Sequence, residues 1–185
     1  EDHRALRRSE HAFENMEILA SILRDVSALR TATRLFGRDV AMPLMLSPTG
    51  LTRMIRRGAE VAVGEAAARA GLPYCLSTLA TTTIERFADI GGAPKLLQIY
   101  IFRDRGLTEE LVARAEAAGL DGLVLTVDTA VSGKRERDRI NGLSLPPRLS
   151  LASMVSFACN PRWSLPVLFG RERFDFVNVS HRARK

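Results

Sequence analysis

Four short apolar runs, roughly 25 residues apart, constrain this chain more than any other feature: MPLML at 42–46, PYCL at 73–76, LLQIYI at 96–101 and LVLTV at 123–127. Near-continuous apolar runs of this length suit strands buried on both faces, as parallel sheets require. Helical patterns lie between them. Residues 59–70 are rich in alanine and stop at Gly71, a residue that readily takes the left-handed cap conformation. Thr82 with Glu85 fits a capping box. Thr108 fits the cap of the next helix, with Leu107 and Val112 placed as a hydrophobic staple, and that helix stops at Gly119. The order β-α-β-α-β-α-β predicts a run of parallel βα units, an α/β fold. Residues before Asp39 read as helical and then irregular, outside the repeat.

The bulk properties exclude several classes. The 185 residues carry a formal net charge of +6, with 46% hydrophobic and 26% charged residues, ordinary for a globular protein. No run approaches the roughly 18 apolar residues of a spanning helix, and no secretory signal is present. Cys75 and Cys159 cannot make a disulfide framework and read as free thiols. His3, His11 and His181 lack metal-site spacing, so no metal is expected. Neither a glycine-rich dinucleotide fingerprint nor a P-loop occurs.

Polar residues gather where each apolar run ends. The first ends in Ser47-Pro48-Thr49-Gly50 and the second in Ser77-Thr78. The third carries Gln98 and Tyr100 at alternate positions, and the fourth carries Thr126 and Asp128 likewise, so each pair shares a face. Ligands of parallel βα folds bind at the carboxyl ends of strands. Each residue alone has an ordinary structural use as core hydroxyl, turn or cap. Their coincidence at one end of four strands points to a site. A carboxylate at the edge of a buried strand, Asp128, calls for a cation or a hydrogen-bonded partner. Four cations follow it: Lys134, Arg135, Arg137 and Arg139.

Four stretches, SPTGL, LSTLATTTIE, LLQIYIFRDR and LVLTVDTAVSGKRERDRINGL, are together similar to the FMN-dependent L-2-hydroxy acid dehydrogenase and oxidase family, which includes glycolate oxidase and the L-lactate and mandelate dehydrogenases. The resemblance covers roughly residues 5–147 in the family's order. It implies the N-terminal half, about four βα units, of a (β/α)8 TIM barrel, with FMN as cofactor and a lactate- or mandelate-like L-2-hydroxy acid as small-molecule substrate. By the same resemblance Pro48, Thr49 and Gly50 would hold the flavin ring through backbone groups. Ser77, Gln98 and Thr126 would hydrogen-bond it. Tyr100 would meet the substrate, Arg135 would bind its carboxylate, and Asp128 would support a catalytic histidine. The small residue Gly50 favours a dehydrogenase over an oxidase. Other FMN barrels lack the TVDTAVSGKRERD stretch, and a non-catalytic basic module binding membrane or nucleic acid is the alternative outside enzymes.

Residues 1–145 are expected to form the half-barrel, and 146–185 an irregular basic and aromatic excursion, membrane-associating or disordered. The excursion holds seven Lys/Arg against Glu172 and Asp175, an excess of five positive charges, together with Phe157, Trp163, Phe169, Phe174 and Phe176. Such a composition suits an anionic membrane surface or nucleic acid, and occurs as readily in a solvated loop. No aromatic stacking platform or recognition helix supports nucleic acid. NPRWSLPVLFGRERFDFVN resembles the segment of the membrane-associated lactate and mandelate dehydrogenases that docks at the inner membrane beside a quinone acceptor. The resemblance implies a cytoplasmic protein, peripheral on the inner face of the cell membrane and homo-oligomeric when complete. The family's catalytic histidine and phosphate-binding arginines fall after strand five. The chain, which begins at Glu1 and ends at Lys185, is therefore expected to be part of a longer protein and inactive alone.

Overall fold

The computed structural model describes residues 3–128, 133, 136–140, 151–168 and 175–183. It separates into two units. The first comprises Glu1–Arg30 and Val131–Met154. It holds α1 (Arg4–Glu14), which buries none of its residues, and a following irregular stretch whose Ile18, Ile22 and Leu23 are solvent-exposed.

The second unit, Thr31–Ala130 with Val155–Lys185, carries the sheet. It opens with an antiparallel hairpin, β1 (Thr33–Leu35) and β2 (Arg38–Val40). Its turn, Phe36-Gly37, has positive φ at both residues, the backbone twist that a two-residue hairpin turn needs. The sequence reading placed only irregular chain here, because Phe-Gly lacks the asparagine or aspartate of the common turn signal.

A three-stranded parallel sheet follows: β3 (Tyr74–Leu76), β4 (Lys95–Tyr100) and β5 (Gly122–Thr126), in that spatial order. The helices α2 (Ala59–Arg69), α3 (Ile84–Ala88) and α4 (Arg105–Ala117) precede β3, β4 and β5 respectively. The second, third and fourth apolar runs thus become strands within a residue or two of their expected limits. The first does not. Only Leu46 joins the sheet, through Leu46 N–H to Pro73 O at 2.9 Å and Cys75 N–H to Leu46 O at 3.1 Å. Pro43 lacks a donor and the 41–44 stretch is exposed, so a longer ladder does not form there.

Helix ends follow local chemistry with two corrections. Gly71 and Gly119 take positive φ and close α2 and α4, as expected. In each, the residue after the glycine donates to a carbonyl five residues back: Leu72 to Ala67, and Leu120 to Ala115. The cap of α3 is Thr83, accepting from Arg86 N–H, and not Thr82, whose hydroxyl is engaged elsewhere. The cap of α4 is Asp104, accepting from Leu107 N–H. Thr108 lies inside that helix, so the proposed staple of Leu107 and Val112 does not form in that role. The Thr108 hydroxyl accepts instead from Phe102 N–H at 3.1 Å.

The core lies on the helix-facing side. Tyr74, Leu76, Leu97 and Ile99 pack there with Ile84, Phe87, Leu107 and Leu111. Burying side chains of this size is worth about 1.5–3 kcal/mol each, before the entropy of ordering them. On β5 the same face carries Leu123 and Leu125, which stand 43% and 51% exposed. The fourth run was expected to be buried on both faces. Instead α3 and α4 cover β3 and β4, while β5 forms the edge of the described sheet.

Beyond β5 comes α5 (Glu136–Ile140). Where irregular chain was expected after 146, the described residues form α6 (Leu151–Cys159), α7 (Pro161–Leu168) and α8 (Ser180–Ala183). Residues 175–183 dock on the βα units. Buried Asn178 accepts from Ile84 N–H and Arg114 and donates to Thr82 O, and Arg182 pairs with Asp104 and Glu110. Arg114 also forms a two-pronged pair with Glu85, at 2.8 and 2.9 Å. That hydrogen bond holds the Glu85 carboxyl below its ordinary value of 4.5. A lowered acid stabilises the fold above its unfolded value and loses that contribution as pH falls through the folded one. The thermal midpoint should therefore fall on acidification below about pH 4.5, and Arg114→Ala should flatten that part of the melting profile. An unchanged profile in the variant would show that other groups set the acid limb.

Candidate functional site

The face opposite the core is polar where β3, β4 and β5 end. Gln98 is its centre. Its Oε1 faces Thr78 N–H at 3.3 Å and the Ser77 hydroxyl at 3.4 Å, and its Nε2 donates to Thr126 Oγ1 at 2.7 Å. A backbone N–H can only donate, which sets the amide's orientation. The Thr78 hydroxyl donates to Gln98 O, and Leu79 N–H donates to Ser77 Oγ. One side chain thus links three strand ends, and Ser77, Thr78 and Gln98 are buried while doing so.

The turn 48–50 closes against this face. A Cβ built at Gly50 would stand 3.3 Å from Leu79 Cβ, 3.4 Å from Leu79 O and 3.7 Å from Ser77 Oγ. A side chain at this position would press on Leu79, and Gly50 keeps an ordinary backbone angle. Leu51 N–H donates to Leu79 O at 3.2 Å, and the Thr52 hydroxyl donates to Thr49 O. Tyr100, half-buried, packs edge-on to Phe102 with ring centroids 6.3 Å apart.

Of the sequence-predicted residues, Pro48, Thr49, Gly50, Ser77, Gln98, Tyr100 and Thr126 all occupy this end of the sheet. Asp128 follows one alternation after Thr126. It is exposed, not buried as expected, because β5 is an edge strand. Lys134 and Arg135 lie outside the described residues, and the described face of the site is neutral around Gln98.

Two supports went unnoticed in the sequence. Glu60, fully buried at the start of α2, accepts from Thr81 N–H at 2.9 Å, from the Thr81 hydroxyl, and from the Thr82 hydroxyl at 2.8 Å. It pins the loop after β3, whose first residues form the site. Burial, with Glu60 adding to it, pushes the nearby Tyr74 phenol well above its ordinary value. The Trp163 indole N–H donates to Met54 O at 2.6 Å, tying α7 to the segment that follows the 48–50 turn. Cys75 is buried beneath the site, and burial pushes its thiol up to about 12, so it stays protonated at neutral pH.

The donor set fits a planar, neutral, acceptor-rich ring. Thr126 accepts from Gln98, which leaves its own hydroxyl hydrogen to donate, and Gln98 Nε2 keeps a second hydrogen. Parallel βα units with donors assembled at the strands' carboxyl ends put this cluster where ligands of such α/β folds bind. Residues 1–184 match the family model of the FMN-dependent dehydrogenases. The chain belongs to that family, whose cofactor is FMN. It is 40% identical over 176 residues to the L-lactate dehydrogenase of Xanthomonas euvesicatoria pv. vesicatoria, covering 95% of this chain and 45% of that protein. The solved monotopic membrane protein (S)-mandelate dehydrogenase superposes with a TM-score of 0.87 at 28% identity, over 100% of this chain and 52% of that one. A mandelate oxidase variant carrying a C4a-OH-FMN adduct superposes at 0.75, with 35% identity, over 79% of this chain and 44% of that one. The chain thus spans about half the length of the proteins it matches. No described helix is long and apolar enough to cross a membrane.

Proposed function

We propose that the complete protein oxidises an L-2-hydroxy acid, lactate- or mandelate-like, to the 2-oxo acid, and that this chain is the N-terminal half of its (β/α)8 barrel. The observation that carries the reading is Gln98 linking three strand ends and presenting, with Thr126, donors that match a flavin ring. FMN, when bound, accepts the two electrons that the substrate loses. Ser77, Gln98 and Thr126 hold its polar edge, while Pro48, Thr49 and Gly50 line it with backbone groups. Tyr100 orients the substrate, and Arg135 holds the substrate carboxylate through a charge-assisted pair. Asp128 stabilises the protonated form of the family's catalytic histidine as it takes the hydroxyl proton. The test is steady-state turnover of a panel of 2-hydroxy acids by the full-length gene product, with a soluble quinone and with oxygen as acceptors. L-lactate or L-mandelate should be oxidised, and faster with quinone than with oxygen. Failure to oxidise any member of the panel would overturn the assignment.

The reading extends to location. The excursion 146–185 meets the inner face of the cell membrane, where a quinone takes the electrons, and the complete protein is a homo-oligomer. The charge excess of this stretch and the membrane-bound mandelate dehydrogenase neighbour support it. Removing residues 150–180 should move the full-length protein from the membrane pellet to the supernatant. Undiminished sedimentation with membranes would rule the docking role out.

A further inference from the structure

We propose that the lipid-facing surface is composite, formed by the arginine-rich turn 53–57 together with α7, and that its partner is an anionic bilayer surface. This rests on the membrane reading above and adds a second, distant part of the chain to it. The turn reads RMIRR, with no acid between Leu46 and Ala59, and Ile55 at its middle stands 72% exposed beside exposed Arg56 and Arg57. The Trp163–Met54 hydrogen bond places α7 against this turn. Ile55 directly follows Met54 and Arg162 directly precedes Trp163, so an exposed aliphatic side chain and an exposed arginine flank this contact. Leu165 is 51% exposed, Arg162 is exposed, and residues 155–165 contain no acid.

The chemistry selects the partner. An exposed aliphatic side chain next to exposed arginines matches a headgroup layer, where the chain enters the acyl boundary and guanidinium groups pair with phosphates. Nucleic acid would need exposed rings for bases to stack on. Trp163, however, is turned inward against Phe157, with centroids 5.3 Å apart, and its N–H is already used. The turn also runs directly into the site: Met54 N–H bonds Leu51 O, and Leu51 N–H bonds Leu79 O. Lipid contact at Ile55 is therefore made within a few residues of the flavin-lining turn.

The experiment is flotation of the full-length gene product with vesicles of phosphatidylcholine alone and of phosphatidylcholine mixed with phosphatidylglycerol. Wild type should bind the mixed vesicles, more weakly as salt is raised. Arg56→Gln/Arg57→Gln should bind them about twenty-five-fold more weakly, at about fivefold per arginine near the surface. Ile55→Ser should weaken binding by a further, salt-independent amount, with FMN content per chain kept as the check of fold in both variants. If both variants bind like wild type while removal of 150–180 abolishes binding, the surface is confined to the excursion and the composite patch is wrong. If wild type binds neither vesicle, the membrane reading itself fails.

Discussion

Asp128→Asn in the full-length gene product should lower turnover by about a hundredfold or more while changing KM little. The position motivates the expectation. Asp128 lies two residues past Thr126, whose hydroxyl is fixed by Gln98, just beyond the site end of β5. A substrate hydroxyl gives up its proton only if the accepting base is stabilised as it becomes positive. A carboxylate does this and a carboxamide of the same shape does not. Substrate binding, proposed for Tyr100 and Arg135, should survive. The measurement is kcat and KM for wild type and variant, with FMN content matched. Near-normal turnover would remove Asp128 from the mechanism, and an equal loss of flavin would make its role structural.

Glu60→Ala should cost about 3 kcal/mol or more, larger than most single substitutions. The side chain is fully buried and accepts from one backbone N–H and two hydroxyls. Truncation leaves those donors without a partner and opens a void beside α2, two costs that add. Glu60→Gln keeps one oxygen for Thr81 N–H, and the two hydroxyls can accept from its amide, so it should recover most of the loss. Chemical denaturation of the two variants and wild type gives the comparison. The same anchor fixes the loop that begins with Ser77, so Glu60→Ala should also release FMN more readily. Wild-type stability in Glu60→Ala would mean that the buried carboxylate is dispensable.

These expectations show what could be read from the chain before its fold. The apolar runs at 73–76, 96–101 and 123–127 became β3, β4 and β5 because short β-rich segments between helices have few other uses. The alternation of Gln98 with Tyr100, and of Thr126 with Asp128, placed each pair on one face without any tertiary information. What escaped depended on distant partners. Thr82 looked like the cap of α3, but Glu60, twenty-two residues earlier, takes its hydroxyl and Thr83 caps instead. Glu60 itself reads as one more charge on an alanine-rich helix, and only the returning loop makes it buried. Leu123 and Leu125 read as core, yet their burial requires a covering element beyond the described sheet. Residues 151–168 looked irregular because Pro161 and Pro166 broke the pattern, although Pro161 is tolerated at the first position of α7.

The central proposal is that the complete protein is a flavin enzyme that oxidises L-2-hydroxy acids. The most direct measurement is the visible absorbance of the FMN-bound, full-length protein after anaerobic mixing with L-lactate, L-mandelate and their D-isomers. Loss of the flavin band with at least one L-acid, and with neither D-isomer, is the expected result. A protein that binds FMN but keeps its spectrum unchanged with every L-acid, or responds equally to the D-isomers, would contradict it.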